Sequence, residues 1–169
     1  MKRIAGTSCS LALLLGVLVA PGSLEAQGTR LLRQPAVSAA HVAFVYGGDL
    51  WVVNRSGGEA RRLTSTAAVE RDPWFSPDGR WIAFTSNRSG NPDVYVVSVD
   101  GGDARRLTWH PGNDEARGWS PDGRQVLIAS DRDAAPVPYF RLWTQPVAGG
   151  PPTRLPIPPA DDAADRSRT

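Results

Sequence analysis

One pentapeptide occurs twice in this chain of 169 residues. Ser76-Pro77-Asp78-Gly79-Arg80 returns as Ser120-Pro121-Asp122-Gly123-Arg124, 44 positions on. The same shift carries Gly57-Gly58 to Gly101-Gly102 and Arg61-Arg62-Leu63-Thr64 to Arg105-Arg106-Leu107-Thr108. It also carries Asp49-Leu50-Trp51-Val52-Val53 to Asp93-Val94-Tyr95-Val96-Val97. A third copy follows with an insertion of four: Leu142-Trp143, Gly149-Gly150 and Thr153-Arg154-Leu155. Self-similarity on a period in the forties restricts a chain to stacking like units, each burying its faces against its neighbours.

Each unit reads as four short strands. In the middle unit the expected strands are 73–76, 81–86, 93–99 and 104–108. Ser76-Pro77-Asp78-Gly79 forms the first turn, with proline at the position that wants φ near −65° and glycine where φ turns positive. Gly101-Gly102 closes the hairpin into the outer strand. The third strand is apolar on both faces, as in a sheet sandwiched between two others. The expected fold is all-β, a partial β-propeller of about three four-stranded blades (about 35–65, 72–108 and 114–155) that leaves its ring incomplete. The first unit is degenerate, with 36–40 where Ser-Pro-Asp-Gly would stand and a shortened loop at Tyr46-Gly47-Gly48. The middle blade, flanked on both sides, is expected to be the best ordered.

Outside the repeats, Lys2 and Arg3, the apolar run 11–20 and the small-residue exit at Ala26 have the pattern of a secretory signal peptide, 1–26. That run falls short of the roughly 20 residues a membrane span needs, so no span is expected after cleavage. The reading places the protein outside the cytoplasm, periplasmic or extracellular. Cys9, the one cysteine, precedes the run and leaves with it. Residues 31–158 hold the blades. The polar stretch 159–169 has nothing to bury and is expected to be a disordered tail; an incomplete gene product or a frame change near Pro159 would account for it. The net charge is only +2, with arginines and acids interspersed. Nucleic-acid binding, which needs a one-sided basic stripe, is not expected.

The Ser-Pro-Asp-Gly-Arg-Trp-Ile-Ala-Phe-Thr-Ser text, then Asp-Val-Tyr-Val-Val, Gly-Gly and Arg-Arg-Leu-Thr, resembles the Pro-Asp propeller repeats of TolB and of tricorn-type peptidases. The first blade starts soon after the cleavage point, with Gly47-Gly48-Asp49-Leu50-Trp51, Trp109-His110-Pro111 and Gly118-Trp119-Ser120. On those features the chain is most similar to the N-terminal propeller of secreted tricorn-type serine peptidases. The resemblance implies a non-catalytic propeller that gates or selects peptide substrates, or binds proteins, beside a catalytic domain. The alternatives are a stand-alone TolB-like periplasmic interaction module and the propeller of another hydrolase, such as an amidohydrolase.

No catalytic, cofactor-binding or metal-ligating residue is assigned. His41 and His110 lack neighbouring acids at metal spacing, and His110 reads as a loop cap. Ser76 and Ser120 read as turn initiators without a general base. Asp78 and Asp122 recur at one structural position, which points to turn chemistry. Asp131-Arg132-Asp133 parallels Asn87-Arg88-Ser89 as a local charged loop. Trp51, Tyr95 and Trp143 read as packing residues. Arg62, Arg106 and Arg154 recur before the outer leucine; they either protect a sheet edge or face peptide carboxylates. The expected partners are peptides or proteins, and closing the ring needs further blades in cis or an oligomer.

Overall fold

Alternating short apolar strands with turn chemistry at fixed offsets leave the chain one economical course, the antiparallel meander. The computed structural model describes residues 32–133 and 139–157; the expected signal peptide and tail lie outside them. Twelve strands form three meanders. The first blade is β1 (Arg33–Val37), β2 (His41–Tyr46), β3 (Asp49–Asn54) and β4 (Arg61–Arg62). The second is β5 (Glu70–Phe75), β6 (Trp81–Ser86), β7 (Asp93–Ser98) and β8 (Arg105–Arg106). The third is β9 (Asp114–Trp119), β10 (Gln125–Ser130), β11 (Arg141–Pro146) and β12 (Thr153–Arg154). Strands pair in chain order within each sheet, and β1, β5 and β9 lie side by side from blade to blade. The result is an all-β partial propeller, three blades without a closed ring.

Strand alternation sends every second side chain to one neighbour and the rest to the other. Ala43 and Leu50 of the first blade meet Ile82, Phe84, Tyr95 and Val97 of the second. The second blade's other face, Ala83, Val94 and Val96, meets Ala116, Val126 and Ile128 of the third. The middle blade is thus packed on both faces, and Val94 to Val97 are essentially closed to solvent. Two sheet faces have no neighbouring sheet among the described residues. The first blade presents Val42, Phe44, Trp51 and Val53 outward, opposite in register to its buried residues. On the third blade's last face Ala129 and Leu142 are buried, with Leu127, Phe140, Leu155 and Ile157 packed on them.

Several strand boundaries differ from expectation. The innermost strand of the second blade starts at Glu70, not 73, because Glu70 and Arg71 pair with Ser86 and Thr85 before a bulge that accommodates Pro73. A proline has no amide to give the ladder, and a bulge is where a strand tolerates one. The third strand ends at Ser98. The outer strands shrink to two residues apiece, a short edge that offers little to a foreign strand. In the first blade, Ser38 takes the role of Ser76 in a turn two residues shorter: the His41 amide donates to Ser38 Oγ at 2.9 Å, as Trp81 does to Ser76 Oγ at 3.0 Å.

Gly79 sits at φ +69°, where an added Cβ would lie 3.4 Å from that of Ser38. Gly79→Ala is expected to destabilise the fold by about 1–2 kcal/mol, the cost of a left-handed alanine. A urea midpoint equal to wild type would show that the turn can change type.

Candidate functional site

The two ends of the meanders differ in chemistry. One end carries the repeated turns. Ser76 Oγ donates to Asp78 Oδ1 at 2.5 Å, and the Arg80 amide reaches the same oxygen at 3.1 Å. Ser120, Asp122 and the Arg124 amide repeat this at 2.6 and 3.0 Å. These donors, the serine hydroxyls first, hold both aspartates below the usual carboxylate range. Pro77 and Pro121 lie inside these turns, before Gly79 and Gly123. Gly57, Gly58, Gly101 and Gly102, all at positive φ, form the second set of turns at the same end.

The other end is built from arginine and buried acid. Arg62 donates from Nε to the Thr64 carbonyl at 2.8 Å and from its terminal nitrogen to Asp49 at 2.5 Å. Thr64 Oγ1 bridges Asp49 to the Leu50 amide. Arg106, Thr108 and Asp93 build the same clasp, with Arg106 to Asp93 at 2.6 Å and Asp93 fully buried. Burial pushes Asp93 above its usual pKa despite Thr108 and Arg106. The third blade loses the clasp, for Arg141 stands in the aspartate's place and Pro156 in the threonine's. Arg154 is half exposed and reaches only Asp133, at 3.8 Å.

A second clasp ties the innermost strand to the loop after the second. Arg88 holds Ser86 Oγ with its Nε and Glu70 Oε1 at 2.6 Å, and Glu70 is raised by burial. Arg132 holds Ser130 and both oxygens of the buried Asp114 at 2.8 Å. Within the expected charged loop, Asp131 accepts from the Asn113 amide and side chain. His110 Nδ1 accepts from the Gly112 amide at 2.9 Å. Arg88 and Arg132 stood in the sequence only as members of parallel charged loops, and Glu70 and Asp114 were not singled out, yet the 44-residue shift that aligns the turns aligns all four.

The innermost strands carry a polar group that crosses the blade junctions. Asp72 lies in the β5 bulge at φ +52°, and Gln34 in the β1 bulge at φ +50°. Left-handed backbone at a non-glycine residue costs on the order of 1 kcal/mol and survives where surrounding contacts fix it. Here Gln34 donates to Asp72 Oδ1 at 2.8 Å and accepts from the Asp72 amide at 3.1 Å. Thr85 donates to the other oxygen, and Arg117 stands 3.6 Å from it. Arg71 and Arg117 both pair with Glu115, at 3.0 and 2.5 Å. Burial raises Asp72 above its usual pKa, with Arg117 opposing. Beside this group, Gln34–Val37 and Asp72–Phe75 wall a groove of about 450 Å³. Trp74 donates its indole N–H to the Ala116 carbonyl and accepts Trp119's on its own. Among the described residues no three acids, histidines or cysteines gather as a metal site, and no helix is long and apolar enough to cross a membrane.

Four-stranded meanders set side by side around their innermost strands define part of a β-propeller. Residues 29–168 match the tricorn protease N-terminal beta propeller domain, and the chain belongs to that family. It is 38% identical over 62 residues to tricorn protease homolog 1 of Streptomyces coelicolor, covering 37% of this chain and 6% of that protein. It is 31% identical over 68 residues to the Tol-Pal system protein TolB of Desulfosudis oleivorans, 38% of this chain and 16% of the relative. Among solved structures, TolB from Acinetobacter baumannii superposes with TM-score 0.64 at 26% identity, over 75% of this chain and 32% of that one. The tricorn protease superposes at 0.60 and 26% identity, over 78% and 14%. The chain therefore spans a minor part of each of these relatives.

Proposed function

We propose that this propeller is an exported, non-catalytic module that binds extended polypeptide along the innermost strands, selecting peptides for a tricorn-like peptidase activity. The observation that carries the reading is the groove between β1 and β5. Its walls are the exposed Val37 and the part-exposed Trp74 and Phe75, and its polar end is the Gln34–Asp72 pair. Neither β1 nor β5 has a sheet partner on its inner side; with the Asp72 amide and Trp74 carbonyl of β5 already held by Gln34 and Trp119, an added strand would pair along β1 while the aromatic wall takes alternate side chains. The arginines proposed from sequence as peptide-facing are a poorer choice, since Arg62 and Arg106 are held by Asp49 and Asp93. Similarity to TolB proteins supports a second reading, an interaction module whose partner is a folded protein.

Fluorescence anisotropy with two sets of labelled decapeptides, one bearing aromatic residues at alternate positions and one wholly polar, tests the peptide reading. The aromatic set is expected to bind the full chain. Val37→Asp and Trp74→Ala are each expected to weaken that binding about tenfold, or roughly 1.4 kcal/mol. Val37 is 60% exposed, so its variant should fold as wild type does. Equal binding of both sets, or affinity indifferent to both variants, would overturn the proposal.

A further inference from the structure

One contact in the groove is made by a side chain in the way a strand residue would make it. Gln34 Nε2 donates to Asp72 Oδ1 at 2.8 Å, and Gln34 Oε1 accepts from the Asp72 amide at 3.1 Å. A carboxamide carries one donor face and one acceptor face, as a residue of an antiparallel strand does when it exchanges two bonds with the residue opposite. Gln34 is exposed, and it lines both the groove beside Val37 and Trp74 and a second hollow of about 560 Å³ edged by Gly47, Gly48, Val69 and Arg71. The pair thus stands where the two hollows meet, between the first and second blades.

The next junction makes the same connection differently. Arg71 of β5 and Glu115 of β9 lie opposite Thr85 and Ala129, and the residue after each enters a bulge. Both bulge amides donate toward the preceding blade. That of Ala116 reaches Thr85 Oγ1 at 3.0 Å, in a buried bond. In the first blade Val45 holds the position of Thr85, opposite Arg33, and has no hydroxyl to offer the Asp72 amide. Gln34 supplies the acceptor instead, so an exposed, rotatable carboxamide does what a buried hydroxyl does one blade on. Asp72 has other anchors: Thr85 donates to its Oδ2 at 3.3 Å, with Arg117 and Arg71 at 3.6 and 3.9 Å from the same oxygen.

We propose that Asp72 reads the main chain of the bound peptide, and that Gln34 fills its place until an extended peptide displaces it. The inference rests on the peptide reading given above. The incoming strand pairs along β1, and one of its residues takes both bonds that Gln34 gives up, its N–H to Asp72 Oδ1 and its C=O from the Asp72 amide. The exchange is bond for bond, so no polar group is left unpaired with the groove empty or filled. The ligand class is narrowed accordingly, to chains with a free N–H at that residue, which proline lacks.

Gln34→Ala and Gln34→Asn both withdraw the stand-in, the first by deletion and the second with a side chain one carbon shorter that tolerates the left-handed backbone. With the aromatic decapeptides and the full chain, each should bind about fivefold tighter than wild type, at unchanged circular dichroism. Asp72→Ala should weaken binding at least about tenfold, and adding Gln34→Ala to it should bring no gain. Decapeptides methylated at one main-chain nitrogen at a time serve where Asp72→Ala fails to fold: one position of the scan should abolish the gain of Gln34→Ala. Gln34 variants that bind as wild type does or more weakly, or a gain that survives methylation at every position, would overturn the proposal while leaving the peptide reading intact. Binding by the Gln34 variants alone supports it, as a stand-in that shuts the groove; binding by neither wild type nor variants overturns both readings.

Discussion

Arg106→Ala is expected to cost about 3 kcal/mol at pH 7, roughly 10 °C in melting temperature, whereas Arg154→Ala at the equivalent position should cost less than about 0.5 kcal/mol. The difference lies in what each removal leaves behind. Asp93 is fully buried and loses its one cationic partner with Arg106, while Asp133 is half exposed and 3.8 Å from Arg154. Stripping one member from a buried pair strands the other charge in low dielectric, and exposed pairs are screened by water. The deficit should depend on pH in a defined sense. Burial already lifts Asp93 above its ordinary 3.8, and removing Arg106 takes away an opposing influence, so the folded value rises further. A carboxyl whose folded pKa exceeds its unfolded one favours the fold at low pH and loses that contribution as pH rises through the folded value. Arg106→Ala should therefore sit nearest wild type close to pH 4 and fall furthest behind at neutrality. Chemical denaturation at pH 4, 5.5 and 7 measures this. A deficit that is constant across the three, or matched by Arg154→Ala, would show that Asp93 is not stranded as described.

That contrast also shows where sequence reading reaches and where it stops. Turns are local, and Ser76 to Gly79 carry their geometry in consecutive residues, so the blade and its period were legible from a single copy and its echo. The clasps join residues 13 or 18 apart, on strands that meet only once the meander forms. Recurrence flagged Arg62, Arg106 and Arg154 as equals, and only the structure separates them, because Arg141 has replaced the aspartate that the third would need. Pro73 gave a local hint of the β5 bulge. The positive φ of Asp72 and its pairing with Gln34, 38 residues away in another blade, had no local signature. The same limit explains why the groove was not anticipated: its two walls come from equivalent strands of successive repeats, and a repeat reads as a unit before it reads as a neighbour.

Phe84→Ala should be the most damaging single truncation, about 3–5 kcal/mol. Phe84 is fully closed to solvent, stacks on Tyr95 with centroids 5.9 Å apart, and lies between the first and second blades beneath the Arg88 guanidinium. A cavity there removes packing from both sheets, so hydrogen exchange should accelerate in β2, β3, β6 and β7 together, while β10 and β11 keep more of their protection. Phe44 is the natural comparison, holding the same repeat position on the first blade's outward face. In a single copy of the chain, its truncation removes a half-buried ring and should cost about 1–2 kcal/mol. Chemical denaturation of both variants beside wild type measures the contrast. A Phe44→Ala deficit equal to that of Phe84→Ala would show that burial between the first two blades is not what makes Phe84 costly to truncate.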